Sequence, residues 1–341
     1  MKHNDADNRH GDIMRLSNPT FKNLGSIFLL SASAVLLHGC SDGDDGQAGA
    51  DGAGQVISLL ELGRTESQGF DASAAEIVAF DKDNQRIFTV NADSGAIDVF
   101  SASDLSAPAL LSNINLKQML TNEAVVADAN LVGPANSIAV NSTYVAVAVE
   151  ANPKTDNGWV MFLNLTDLSF VTAVEVGVLP DMLTFTPDGS KVVIANEGEP
   201  NDDYSVDPEG SVSIISLPEF SLTSITFTDF NAGESRHGEL PTDKMVLDGY
   251  NASVAESVEP EYVTISKDGS EAYVALQENN AIAVIDMDSM SIDRIFGLGF
   301  KDWSQYKLDI SNKDEVASFV SIDNLYGMYQ PDTISSFSWK G

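Results

Sequence analysis

The sequence predicts an all-β protein built from repeated units of four antiparallel strands, and three observations predict it. From Ala75 onward, short apolar stretches alternate with turn-forming clusters, and none carries the 3.6-residue period of a long amphipathic helix. One stretch recurs: EIVAFDKDNQRIFTVN (Glu76 to Asn91), DMLTFTPDGSKVVIAN (Asp181 to Asn196) and EYVTISKDGSEAYVAL (Glu261 to Leu276) align without a gap. NSIAVNSTYVAVAV from Asn136 joins them once its turn is shortened by two residues, and DTISSFSWKG from Asp332 starts a fifth copy.

Each copy is one β-hairpin. An apolar alternating strand leads into TPDG or SKDG, where Gly189 and Gly269 supply the positive φ of a tight turn, and VVIAN or AYVAL returns. Third strands follow at Ala96 (AIDVF), Trp159 (WVMFL), Ser211 (SVSIIS) and Ala281 (AIAVID), with fourth strands at Ser169 and Ser289. Four strands per unit, recurring at unequal intervals because loops carry insertions, is the pattern of β-propeller blades. A β-sandwich is the alternative, but it leaves the gapless hairpins unexplained. About four to five blades fit in the chain, so the expected ring is incomplete.

Ahead of the repeats the sequence reads as an address. Lys2, Arg9, Arg15 and Lys22 precede the apolar run SIFLLSASAVLL, which ends in LHGC at Cys40. That run is too short to span a membrane and matches a secretory signal. Leu37, Gly39 and Cys40 resemble a bacterial lipobox, whose cysteine is lipidated and becomes the mature N-terminus. Residues 1–39 are thus expected to be a lipoprotein signal peptide, with Met14 as the translation start. Residues 40–55, with Gly43, Gly46, Gly49 and Gly52 at period three, form a flexible tether too short for a collagen helix. Residues 56–341 form the propeller. The expected location is the cell envelope, on the outer membrane or a periplasmic or extracellular face, held to the membrane through the lipid.

Composition narrows the chemistry. Net charge is −33, from 51 acidic and 18 basic residues, so nucleic acid is not an expected partner. Such charge serves solubility, or, where it clusters, cation binding. Cys40 is the sole cysteine, which excludes an intrachain disulfide, a thiolate zinc site and haem attachment. His3, His10 and His38 lie in the signal, leaving His237 in the polar stretch AGESRHGELP, a surface residue rather than a base. Phosphate loops and dinucleotide fingerprints are absent, so no nucleotide cofactor is expected.

Hairpins of the TPDGSKVVIAN type resemble YVTN-repeat propellers. The longer strings GFDASAAEIVAFD, LPDMLTFTPDGSKVVIANEGEPNDDYSVDPEGSVSIISL, EPEYVTISKDGSEAYVALQENNAIAVID and GMYQPDTI resemble the bacterial choice-of-anchor I domain. The resemblance runs from about Gly69 to the end. It implies an exported, propeller-like domain, with relatives among cell-surface glycoproteins and proteins described as alkaline phosphatases. That family continues past the QPD motif with further blades, so the resemblance also implies a product cut short by a frameshift, an early stop or a gene boundary.

The candidate site follows from the repeat. Glu76, Asn136, Asp181, Glu261 and Asp332 precede the first strands in one register, and Asn91, Glu150, Asn196, Glu197, Gln277 and Glu278 end the second strands. Antiparallel pairing brings both sets to one mouth of the channel. Like charges repel there by roughly 4 kcal/mol per pair at 4 Å, which water, protonation or a bound cation must relieve. Ca²⁺ accepts oxygen-only ligands, and Glu76, Asp181, Glu197, Glu261, Glu278 and Asp332 are its candidate ligands; capping of strand ends is the structural alternative. The insertion after Asn196 adds Glu199, Asp202, Asp203, Asp207 and Glu209 without EF-hand spacing. It reads as a solvated acidic loop or a Ca²⁺-organised lid. Two functions remain: a surface-anchored binding or scaffold module for an unidentified protein, glycan or small molecule, and a Ca²⁺-dependent phosphoesterase. Arg64, Arg86, Arg236 and Arg294 are the arginines after Cys40, and none occupies an aligned mouth position, which favours binding.

Overall fold

The computed structural model describes residues 58–65, 75, 77–91, 94–247, 252–311, 313 and 316–339. The signal peptide, Cys40, the tether and Glu76 lie outside these residues. The chain divides into two units at Leu59/Leu60. The first contributes only residues 58 and 59 to the description, and the second carries every element below.

Four sheets of four strands follow one another, each an antiparallel meander in chain order. The first holds β1 (Val78–Asp81), β2 (Arg86–Asn91), β3 (Ala96–Ser101) and β4 (Ala109–Asn115); the second β5 (Val132–Val140), β6 (Tyr144–Ala151), β7 (Asn157–Asn164) and β8 (Phe170–Val178). The third holds β9 (Pro180–Phe185), β10 (Lys191–Asn196), β11 (Ser211–Ser216) and β12 (Ser221–Thr226); the fourth β13 (Pro260–Ile265), β14 (Glu271–Leu276), β15 (Ala281–Asp286) and β16 (Ser291–Gly297). Among the described residues, helix is confined to single turns and two short segments, α1 (Leu116–Asn122) and α2 (Val254–Ser257). The first strands neighbour one another as β1–β5–β9–β13, and among the described residues no comparable packing joins β13 back to β1. This is an arc of propeller blades.

The second strands explain why blades stack. In β10, Val192 and Ile194 pack toward the second blade with Ala146, Ala148 and Phe162, whereas Val193 and Ala195 pack toward the fourth with Val263, Ala272 and Val274. A strand apolar on both faces belongs between two layers, and the two-residue side-chain period divides its residues between them. Phe88, Val90, Val145 and Val147 form the corresponding cluster between blades one and two. Trp159 packs against that cluster, a structural role.

The hairpin turns behave as their residues require. Gly189 and Gly269 have φ of 71° and 76°. Asp188 accepts from the Ser190 amide and from the Thr186 and Ser190 hydroxyls, and these bonds hold its pKa down at about 2. Asp268 does the same with Ser266 and Ser270. The first blade lacks this glycine. There Asp81 accepts from the amides of Asp83 and Asn84 and forms a buried ion pair with Arg86 at 2.8 Å, while Gln85 takes the positive φ of 51°. Arg86 also donates to Leu165 O, tying this turn to the second blade.

Among the described residues, the start of the fifth copy (332–339) forms no strand. It lies along the fourth blade, where Ser336 Oγ donates to Ile265 O at 2.6 Å and the Ser336 amide donates to Thr264 Oγ1 at 3.2 Å. Between the fourth blade and this segment, β17 (Lys301–Asp302) pairs with β18 (Tyr326–Gly327). Asn280 holds the whole region. Its Oδ1 accepts from the amides of Tyr329 and Gln330, and its Nδ2 donates to Gly299 O and Lys244 O.

Candidate functional site: an acidic channel mouth

The mouth is built by one repeated irregularity. In β9 and β10, Pro180 pairs with Asn196 and Met182 with Ala195, so Asp181 has no partner across the ladder. In β13 and β14, Pro260 pairs with Leu276 and Tyr262 with Ala275, which leaves out Glu261. In β5 and β6, Ala135 pairs with Val149 and Ser137 with Ala148, which leaves out Asn136. Each is a β-bulge, one extra residue on the first strand. The proline before Asp181 and before Glu261 is tolerated because the ladder is already interrupted there. The shared register seen in sequence is therefore a shared bulge, and it takes these side chains out of the strand's alternation.

Residues ending the second strands meet them. The Glu197 amide donates to Leu179 O at 2.9 Å, placing Glu197 beside the Asp181 bulge. Asn136 Nδ2 donates to Glu150 Oε2 and to Pro180 O, both at 3.3 Å, and so links blades two and three. Asp181 is half-buried and its pKa rises to about 6, first through desolvation and then through the charges of Asp332 and Glu150. Glu197 rises to about 9, through desolvation and then Asp181, Glu199, Glu261 and Glu259. Glu261 rises to about 8, through desolvation and then Glu278, Asp181, Asp332 and Glu259. Glu150 is also raised, by burial. The third and fourth blades and the fifth copy thus bring Asp181, Glu197, Glu261, Glu278 and Asp332 into one electrostatic neighbourhood.

The acidic loop divides. Glu199 reaches the mouth through an ion pair with Lys154, and the carboxylates of Glu197 and Asp202 add to the field that raises Lys154. Asp203 is occupied locally, accepting from the amide and hydroxyl of Ser205. Asp207 faces Glu256 of α2 instead, and Glu209 is exposed. Among the described residues no three His, Cys, Asp or Glu side chains stand close enough to hold a metal ion as they are.

Other candidates lie elsewhere. His237 is exposed, with Nδ1 2.8 Å from Phe230 O. Arg64 pairs with Glu61, Arg86 with Asp81, Arg236 with Glu239, and Arg294 with Asp293. Two residues that matter were missed by the repeat comparison: Asn279 and Asn280, which are buried just past the aligned block. Asn279 Nδ2 donates to Ser257 O at 2.6 Å, fixing the insertion that carries α2 beside the mouth. The Asn-Asn dipeptide at a turn was their signal in the sequence.

Directly below the mouth, on the same first strands, is a cavity of about 340 Å³ lined by Val78, Phe80, Ile138, Val140, Met182 and Tyr262 among others. Met182 and Tyr262 are the residues next to Asp181 and Glu261.

Four-stranded meanders whose first strands stack in chain order around an acid-rimmed channel define a β-propeller domain. The chain belongs to the choice-of-anchor I family, whose sequence model matches residues 76–341. No curated protein matches it. Among solved structures it is similar to the β-propeller domain of Cps50 (Swd1) from Myceliophteria thermophila, at 8% identity and a TM-score of 0.43, covering 67% of this chain and 57% of that one. A protein from Lactobacillus plantarum is similar at 16% identity and a TM-score of 0.44, covering 67% of this chain and 60% of that one. The chain thus spans about three fifths of the length of these structures. Among the described residues no helix is long and apolar enough to cross a membrane.

Proposed function

We propose that the chain is a binding or scaffold module of the cell envelope, attached through lipid on Cys40, whose acidic mouth takes a cationic partner. Family membership supports a place at the cell surface. The observation that carries the binding reading is the repeated bulge, which delivers Asp181 and Glu261 to the same half-buried neighbourhood as Glu197. Carboxyls raised to about 6, 8 and 9 are groups that a cation would stabilise in their charged form. Ca²⁺ is the simplest such partner, drawing ligands from Asp181, Glu197, Glu261, Glu278 and Asp332. No phosphate-gripping arginine supports the phosphoesterase alternative.

The test is thermal unfolding of chelated protein with Ca²⁺ added back. A ligand that binds only the folded state raises the melting temperature by mass action. Replacing Asp181→Asn and Glu261→Gln together is expected to abolish the rise. A melting curve indifferent to millimolar Ca²⁺ and to millimolar spermidine would reduce the mouth to a set of strand ends.

A further inference from the structure

The cavity beneath the mouth is not explained by cation binding alone. Its walls come from four different blades and are apolar for the larger part: Val78 and Phe80 from the first, Val140 from the second, Met182 from the third and Tyr262 from the fourth, with Ser137 and Thr184 among them. Val78 and Phe80 are 64% and 53% exposed, so the first blade turns large apolar groups into the channel rather than into its core. Cavities of a few hundred Å³ with apolar walls and a few polar groups at one end are the usual form of a small-molecule site. The mouth acids lie beside this cavity rather than in its lining: Asp181 and Glu261 adjoin its residues Met182 and Tyr262 in the chain. One residue step along a strand is about 3.3 Å, so Met182 and Tyr262 lie one step from Asp181 and Glu261.

We infer that the channel binds an amphipathic amine, its cationic head among Asp181, Glu261 and their neighbours and its apolar body against Val78, Phe80, Met182 and Tyr262. This rests on the acidic mouth being a cation site and adds the chemistry of the rest of the ligand. Charge complementarity selects the head group: a fatty acid of the same shape would bring a carboxylate to a carboxylate rim. The length of the apolar wall selects the tail. A hydrated metal ion or a polyamine would occupy the rim and leave the wall unused.

The experiment is calorimetric titration of the soluble domain with octylamine below its micelle-forming concentration, beside ethylamine, octanoate and spermidine. Octylamine is expected to bind roughly tenfold or more tighter than ethylamine, because added methylenes leave water for the apolar wall, and octanoate is expected not to bind. Phe80→Ser, at a half-exposed position where folding has little at stake, should remove most of the octylamine advantage and leave spermidine unaffected. Asp181→Asn with Glu261→Gln should weaken both amines; circular dichroism on each variant establishes that it is folded. Equal binding of octylamine and ethylamine, or an unchanged advantage in folded Phe80→Ser, overturns the inference while the cation mouth stands. Equal binding of octylamine and octanoate overturns it as well, leaving an apolar cavity with no role for the rim. Binding of none of the four ligands overturns the inference, and the Ca²⁺ melt then decides the cation mouth by itself.

Discussion

At the residue scale, the mouth carboxyls set an unusual dependence of stability on pH. Glu197, Glu261 and Asp181 have folded pKa values of about 9, 8 and 6 against ordinary values near 4.5, 4.5 and 3.8. Above pH 4.5 the unfolded chain has released these protons and the folded chain still holds them, so stability falls as pH rises. Asp188 works in the opposite direction: lowered to about 2, it contributes stability above pH 3.8 that is lost as pH falls toward 2. Thermal melts are therefore expected to peak near pH 4 and to decline toward pH 9. Glu197→Gln should flatten the upper part of that decline. A melting temperature that rises between pH 5 and pH 9 would contradict the raised values. Cation binding at neutral pH should release protons, measurable as a buffer-dependent enthalpy.

At the element scale, the hairpins were legible because glycine and aspartate at a tight turn leave few options. Gly189→Ala places a side chain at φ 71°, and the left-handed backbone costs about 1–2 kcal/mol; urea unfolding should show a loss of that size. The bulges were not legible. A bulge is a difference in pairing between two strands, and no residue type encodes it, so Asn136, Asp181 and Glu261 could be aligned without revealing that each is left out of its ladder. Nor did the repeat locate the Asn280 clamp, because the clamp joins segments distant in sequence. Asn280→Gly keeps the positive φ of 52° and removes the amide. It should cost about 1–3 kcal/mol and expose residues 300–339 to proteolysis before the blades. Simultaneous cleavage of blades and segment would mean that Asn280 does not hold that region separately.

At the scale of the whole molecule, the order of blades came directly from counting hairpins, and the contacts between them from strands apolar on both faces. How far the blades extend around the axis did not, since curvature is set by inter-blade packing rather than by any local pattern. The proposed lipid attachment is tested at Cys40. Cys40→Ala is expected to move the protein from the membrane fraction to the soluble fraction; equal distribution of both forms would remove the lipid anchor from the proposal.

The recurrent bulge also bears on how this protein can change over generations. Because the extra residue stands outside the ladder, strand pairing does not fix its identity: amide in one blade, short acid in the next, long acid in another, on nearly the same frame. Blade duplication would add one such free position each time, and substitution would then reset its chemistry without retesting the fold. Selection can in that way rewrite what the channel recognises one letter at a time, with the blades as the unchanging grammar.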